Sequence, residues 1–165
     1  MGPGARGWAM LVGVAVAVAA IDQWTKAEIV AGLGPGAATG IYRLGPDWLA
    51  LEYAENRGIA FGLLAAAPGI AAALAGVIAA GLLAYVARLG PSRTVAVGAG
   101  LALGGAASNL IDRARLGFVI DFVSIGAWPN FNVADAAICG GVAVLALDAL
   151  LRQEGPTGAM EQQDA

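Results

Sequence analysis

FNVADAAICGGVAVLALDALL, Phe131 to Leu151, decides the fold. It is a run of apolar residues long enough for a membrane helix, at ~1.5 Å of rise per residue against a hydrocarbon core of ~30 Å. Yet its first turn carries Asp135, three residues after Asn132. An ionised carboxylate within a span costs roughly 2.5 to 3.5 kcal/mol on insertion scales, so it is either compensated by its surroundings or kept for chemistry. Asn132 fits an N-cap, which places Asp135 at the third helical position, where the helix dipole favours negative charge. Taken alone, Asp135 reads as a capping carboxylate.

Working outward, the chain has 165 residues, 59% of them hydrophobic and only 13% charged, with a mean hydropathy of +0.74. That apolar share is far above what a soluble domain carries and predicts an integral membrane protein. The apolar residues fall into four blocks: Trp8 to Ile21, Pro68 to Leu89, Thr94 to Ile111 and Val133 to Leu151. The first is short, and spans only if its helix continues through Asp22 to about Val30. A cleaved signal peptide is the competing reading of that block, because GVAVAVAA resembles a signal-peptide core with a small-residue end. Three later spans favour an uncleaved anchor. The expected architecture is therefore a single membrane domain over residues 1–152, with four transmembrane helices near 8–30, 68–89, 94–112 and 133–151. Residues 153–165 form a polar tail without apolar periodicity, expected to be disordered. The chain has no His, which excludes a Ser-His-Asp triad, a Cys-His pair and a His-based zinc site. Its single cysteine, Cys139, forms no internal disulfide. No metal, cofactor or nucleic-acid partner is expected.

Four spans put both termini on one side. The turn RLGPSR, Arg88 to Arg93, joins Arg6 and Arg152 there and favours the cytoplasm, although Lys26, Arg43, Arg57, Arg113 and Arg115 fall on the other side. The insert between the first two spans, about residues 38–66, holds DWLALEYAE, which alternates as a half-buried strand does. TGIYRL before it and GIAFGLL after it are candidate pairing partners, so a small extracytoplasmic β-sheet is expected. In the third span, Gly100 and Gly104 stand in a G-x-x-x-G relation that lets helix backbones approach closely.

Polar residues that such a chain should avoid gather at one membrane face. Asp22, Gln23 and Lys26 end the first span, Asn56 and Arg57 lie in the insert, Asn109, Asp112 and Arg113 close the third span, and Asp121, Asn132 and Asp135 follow. Each has a structural explanation: Asp22 and Lys26 are spaced to pair on a helix, and Asn109, Asp112 and Arg113 can knot a helix end. The combination of Asp121 with Asp135 changes the balance. VIDFV sets Asp121 in an apolar context, and a loop containing Gly126 and Pro129 can bring it to Asp135. Two buried carboxylates within hydrogen-bonding reach cannot both ionise readily, so one keeps a proton and the pair acts as base and acid together. That equips a site for peptide hydrolysis without a covalent intermediate. Two other readings compete. A proton or cation transporter requires acids spread through the membrane depth, and here only Asp148 lies toward the other face. A Ser-Lys hydrolase requires Lys26 beside Ser108 or Ser124.

Five segments, DQWTK (22–26), ENRGIAFG (55–62), GGAASNLIDR (104–113), GFVIDFV (117–123) and FNVADAAI (131–138), follow one another across nearly the whole chain in the order of a known family. The chain resembles the lipoprotein signal peptidases, also called signal peptidase II. The resemblance implies an intramembrane aspartyl endopeptidase of the bacterial cytoplasmic (inner) membrane, with its active site near the extracytoplasmic face. Its substrate and partner would be a lipid-modified prolipoprotein presented by membrane lipid, cut just before the diacylglyceryl-modified Cys, and the enzyme would act as a monomer. By the same resemblance Asp121 and Asp135 are catalytic and Asn56, Asn109, Arg113 and Asn132 line the substrate site; Asp22 and Lys26, spaced to pair, and Asp112, a third motif carboxylate beside Arg113, are assigned to structural support. Arg57 and Ser108 depart from the residues frequent in the family, and neither departure touches the two catalytic positions.

Overall fold

A computed structural model describes residues 3–45, 48–58 and 68–153. The elements run α1 (Pro3–Leu33), β1 (Ile41–Arg43), β2 (Leu49–Asn56), α2 (Pro68–Leu89), α3 (Arg93–Leu116), β3 (Val119–Ile125), β4 (Trp128–Phe131) and α4 (Val133–Gln153). Helices α1, α3 and α4 are each long and apolar enough to cross a membrane, and α2 is apolar through Ala73–Arg88. The polar residues at 22–26 do not interrupt α1, because DQWTKAEIVA contains no Gly or Pro; the helix ends only where Gly32, Gly34 and Pro35 arrive. Its 31 residues reach ~46 Å, more than the hydrocarbon core, which brings Asp22 and Lys26 to a membrane face.

Helix α3 is the centre of the bundle, with buried residues along its length. Two faces of small residues make this possible. Gly100 and Gly104 lie against α1, where a Cβ on Gly104 would stand 2.6 Å from the Ala15 carbonyl oxygen. Gly105 lies against Ala134 of α4, and Gly98 faces Gly141 and Leu145. In lipid, where burial of apolar surface drives little association, such backbone approach supplies the packing contact that holds helices together. Leu82 and Val86 of α2 join a core of Leu11, Val95, Ala96 and Ala99 at the end of the bundle remote from the sheet. Ser92 caps the start of α3, its Oγ accepting from the Val95 amide at 3.3 Å. Gly117 ends it at φ 81°, a left-handed conformation that glycine adopts without steric penalty.

The sheet is antiparallel in the order β1-β2-β3-β4. Strands β1 and β2 come from the expected TGIYRL and DWLALEYAE. The third expected partner, GIAFGLL, lies outside the described residues in all but its first residue, Gly58, and the polar tail lies outside them from residue 154. The sheet is completed instead by β3 and β4, from the connection between α3 and α4, where the sequence alone predicts a loop. Val119, Ile120, Asp121 and Phe122 are all buried, so the strand has no alternation to reveal it. Its pairing opposes Ala54 to Asp121 and Asn56 to Val119, which carries both polar residues to the end of the bundle where α3 stops and α4 begins.

Candidate active site

Asp22, Lys26 and Asp112 form the floor of the site. Lys26 Nζ lies 2.6 Å from Asp22 Oδ2 and 2.7 Å from Asp112 Oδ2, with all three residues almost fully buried. Burying such charges is tolerable only when each is paired and its remaining hydrogen-bonding capacity is met. That condition is satisfied here. Asp22 Oδ1 accepts from the Ala134 amide (2.8 Å), one of the free N–H groups at the start of α4, and Oδ2 accepts from Ser108 Oγ (2.7 Å). Asp112 accepts from Gln23 Nε2 (2.7 Å) and from the Ile120 amide (3.3 Å), one residue before Asp121. The floor therefore ties α1 to the helix that bears Asp135 and to the strand that bears Asp121.

Above it, one residue joins the two remaining carboxylates. Asn132 is fully buried; its Nδ2 donates to Asp121 Oδ1 at 2.8 Å. Its backbone N donates to Asp135 Oδ2 (3.2 Å), while the Asp135 amide donates to Asn132 Oδ1 (2.9 Å). That reciprocal pair is a capping box, so Asp135 does cap its helix, with one oxygen. The other, Oδ1, accepts from Asn109 Nδ2 (2.8 Å), and Asp121 Oδ2 accepts from Asn56 Nδ2 (2.9 Å). All four carboxylate oxygens thus have a neutral donor, and among the described residues neither carboxylate has an ion-pair partner. The nearest amine, Lys26 Nζ, is held by the floor and touches the pair only through Asn109 Oδ1 (3.0 Å). Burial, and after it the neighbouring Asp135 charge, push the Asp121 carboxyl up to about 7, against the opposing pull of Asn56, Lys26 and Asn132.

The sequence-derived residues therefore converge, in more specific arrangements than their positions revealed. The amides of Asn56, Asn109 and Asn132, placed along the substrate site by resemblance, have their nitrogens on the carboxylates. Arg113 differs: Nη2 donates to the Gly58 carbonyl (2.7 Å), Nη1 reaches Asn109 O (3.4 Å), and Nε is buried without a partner among the described residues. Gln23, given no role from sequence, links Asp112 to Ser108 Oγ (3.1 Å). The signal was present: a Gln on an apolar helix, one turn before a lysine. Arg57, the departure in the second motif, pairs with Glu55 (2.8 Å) and lies 5.3 Å over the Phe118 ring. A Ser-Lys arrangement is not formed, since Lys26 is engaged by two carboxylates and Ser108 donates to Asp22. Asp148, the acid nearest the other face, is paired with Arg152 at 2.7 Å.

Fold and site together define a multi-pass membrane protein with a pair of uncompensated carboxylates at one end of its bundle. The family described as Signal peptidase (SPase) II matches residues 14–151. A lipoprotein signal peptidase of Syntrophomonas wolfei is 40% identical over 131 residues, covering 79% of this chain and 86% of the relative. One of Moorella thermoacetica is 39% identical over 139 residues, covering 84% and 91%. Among solved structures, a bacterial membrane enzyme determined by the in meso method at 2.3 Å resolution superposes with a TM-score of 0.78 at 26% identity, covering 90% of this chain and 92% of that one. The chain belongs to the signal peptidase II family. It is accordingly an endopeptidase of the inner membrane.

Proposed function

We propose that this aspartic endopeptidase removes the signal peptide from diacylglyceryl-modified prolipoproteins, cutting before the modified Cys with water activated between Asp121 and Asp135. The observation that carries the reading is Asn132, a neutral residue hydrogen-bonded to both carboxylates where, among the described residues, no cation pairs with either. Asp121 carries the shared proton, in keeping with a carboxyl pushed up to about 7, while Asp135 at a helix N-terminus is the base. Water gives a proton to Asp135 as its oxygen attacks the scissile carbonyl, and Asp121 donates to the developing oxyanion. The tetrahedral intermediate then collapses: its hydroxyl proton returns to Asp121, the C–N bond breaks, and Asp135 passes its proton to the leaving amine.

Asn56, Asn109 and Asn132 hold the pair in register, and Arg113 has donor capacity left for the substrate backbone. One chain supplies every group named, so the enzyme works as a monomer. An extracytoplasmic site is supported by Arg6, Arg88, Arg93 and Arg152 at the opposite end of the bundle, two of them flanking the short turn between α2 and α3, where positive charge favours the cytoplasm. Acyl chains left in the bilayer keep roughly 0.8 kcal/mol of burial per CH₂, so the membrane itself presents the modified Cys. The test is incubation of the detergent-purified protein with a precursor in its diacylglyceryl-modified and unmodified forms. Cleavage of the modified form alone is expected; equal cleavage of both would remove the lipid from the recognition.

A further inference from the structure

At the other end of the bundle, a cavity of about 400 Å³ opens between α1 and the turn that joins α2 to α3, lined by Arg6, Gly7, Met10, Pro91, Ser92 and Arg93. The hydrolytic chemistry makes no use of it. Gly7 is buried there, so close to Pro91 that a Cβ would strike the Pro91 carbonyl oxygen, and this contact fixes helix and turn against each other as a floor. Arg6 and Arg93 come from different elements and stand exposed at the lining with no carboxylate partner among the described residues. Asp148, the one acid at this end among the described residues, is held by Arg152, whose Nη2 in turn reaches Ser92 Oγ at 3.1 Å. The cavity is therefore flanked by two guanidinium groups whose charge nothing described neutralises. A guanidinium fork matches the oxygens of a phosphate with two parallel hydrogen bonds.

Depth narrows the ligand further. Arg6 lies about 24 Å along α1 from Asp22, at ~1.5 Å per residue, which puts the cavity at the membrane boundary opposite the carboxylate pair. Met10, one turn deeper, is 39% exposed and continues the lining toward hydrocarbon. A site with phosphate-binding groups at headgroup depth and an apolar continuation fits an amphiphile better than a free ion. We propose that this cavity binds the headgroup of an anionic phospholipid in the leaflet opposite the carboxylate pair, its phosphate between Arg6 and Arg93 and its first acyl carbons along Met10.

The test is native mass spectrometry of the full-length protein released from detergent, titrated with dioleoyl phosphatidylglycerol, with dioleoyl phosphatidylcholine and with inorganic phosphate. One phosphatidylglycerol should be retained at concentrations where phosphatidylcholine is not. Arg6→Gln and Arg93→Gln should each weaken that binding about fivefold, and together roughly 25-fold. Arg88→Gln, the same change of charge outside the cavity, should alter it less than about twofold, and all variants should keep the wild-type cleavage rate in detergent. Equal retention of the two lipids, or a loss with Arg88→Gln as large as with Arg6→Gln, would reduce the site to diffuse attraction and overturn the proposal. Displacement of the lipid by equimolar inorganic phosphate would overturn it as well, by showing that the acyl end contributes nothing.

Discussion

Two pairs of buried carboxylates meet in one hydrogen-bond network, and they are built in opposite ways. Asp22 and Asp112 share a cation, Lys26, within 2.7 Å of each. Asp121 and Asp135 share a neutral residue, Asn132, the first through its side-chain amide and the second through its backbone N–H. A cation between two acids pairs with both and makes them fixed points of the architecture. A neutral donor orients two acids without neutralising them, which is what the proposed sharing of one proton between them requires. The contrast separates the groups that hold the site from those that would react in it, although all four are the same side chain. It also explains why Lys26 is tied down: an amine free to move toward Asp121 or Asp135 would turn the reactive pair into a second structural one.

The comparison breaks most directly at the reactive pair. Asp121→Asn and Asp135→Asn should each lower the cleavage rate by about 10²- to 10⁴-fold, because an amide neither takes the proton of water nor returns one. Thermal unfolding in detergent should show the variants still folded; a variant that cleaves at the wild-type rate would remove that residue from the chemistry. Acidity sharpens the point. Because the folded-state value of Asp121 is raised to about 7, the proton it would donate is present below that pH and is lost above it, so the rate should fall as pH rises through about 7. The same shift acts on stability. The folded state binds this proton more tightly than the unfolded chain does, so stability should decline with rising pH between about 4 and about 7, and Asp121→Asn should remove that slope.

The structural pair should respond in stability first. Lys26→Met leaves Asp22 and Asp112 buried without their cation and should destabilise the protein by about 3–5 kcal/mol, read as a lowered unfolding midpoint. The triple change Asp22→Asn, Lys26→Met, Asp112→Asn removes all three charges at similar volume and should recover most of that loss. A Lys26→Met protein that unfolds at the wild-type temperature yet does not cleave would place the lysine in the reaction and erase the distinction.

How much of this was legible in the sequence differs between helices and site. Spans show themselves through composition, and G-x-x-x-G in α3 foretold close packing, although only on the side facing α1; Gly98 and Gly105, which admit α4, follow no such spacing. Strand β3 was hidden because it is buried on both faces, and a continuous apolar run does not distinguish strand from loop or helix. At the site, residue types and depth identified the participants. Which donor meets which acceptor was not legible, since Asn132 contacts Asp121 through a side chain and Asp135 through the backbone, across elements whose relative placement depends on tertiary packing. The capping reading of Asp135 and the reactive one, which look like alternatives along the chain, are compatible because a carboxylate has two oxygens.

The smallest expected effect tests the floor at its least essential contact. Ser108, one of the two departures from the family resemblance, donates to Asp22 Oδ2 and accepts from Gln23 Nε2. Ser108→Ala removes both contacts, yet Asp22 Oδ2 keeps Lys26 and the Gln23 amide keeps Asp112, so no buried group is left unpaired. The loss should then be about 1 kcal/mol of stability, with less than about threefold in cleavage rate. Ser108→Gly should cost somewhat more, since glycine in a helix interior adds roughly 1 kcal/mol of its own relative to Ala. If Ser108→Ala depressed the rate tenfold or more at an unchanged unfolding midpoint, the hydroxyl would be acting on Asp135 through Asp22 and the α4 amide it caps, and the line between holding and reacting groups would have to be redrawn.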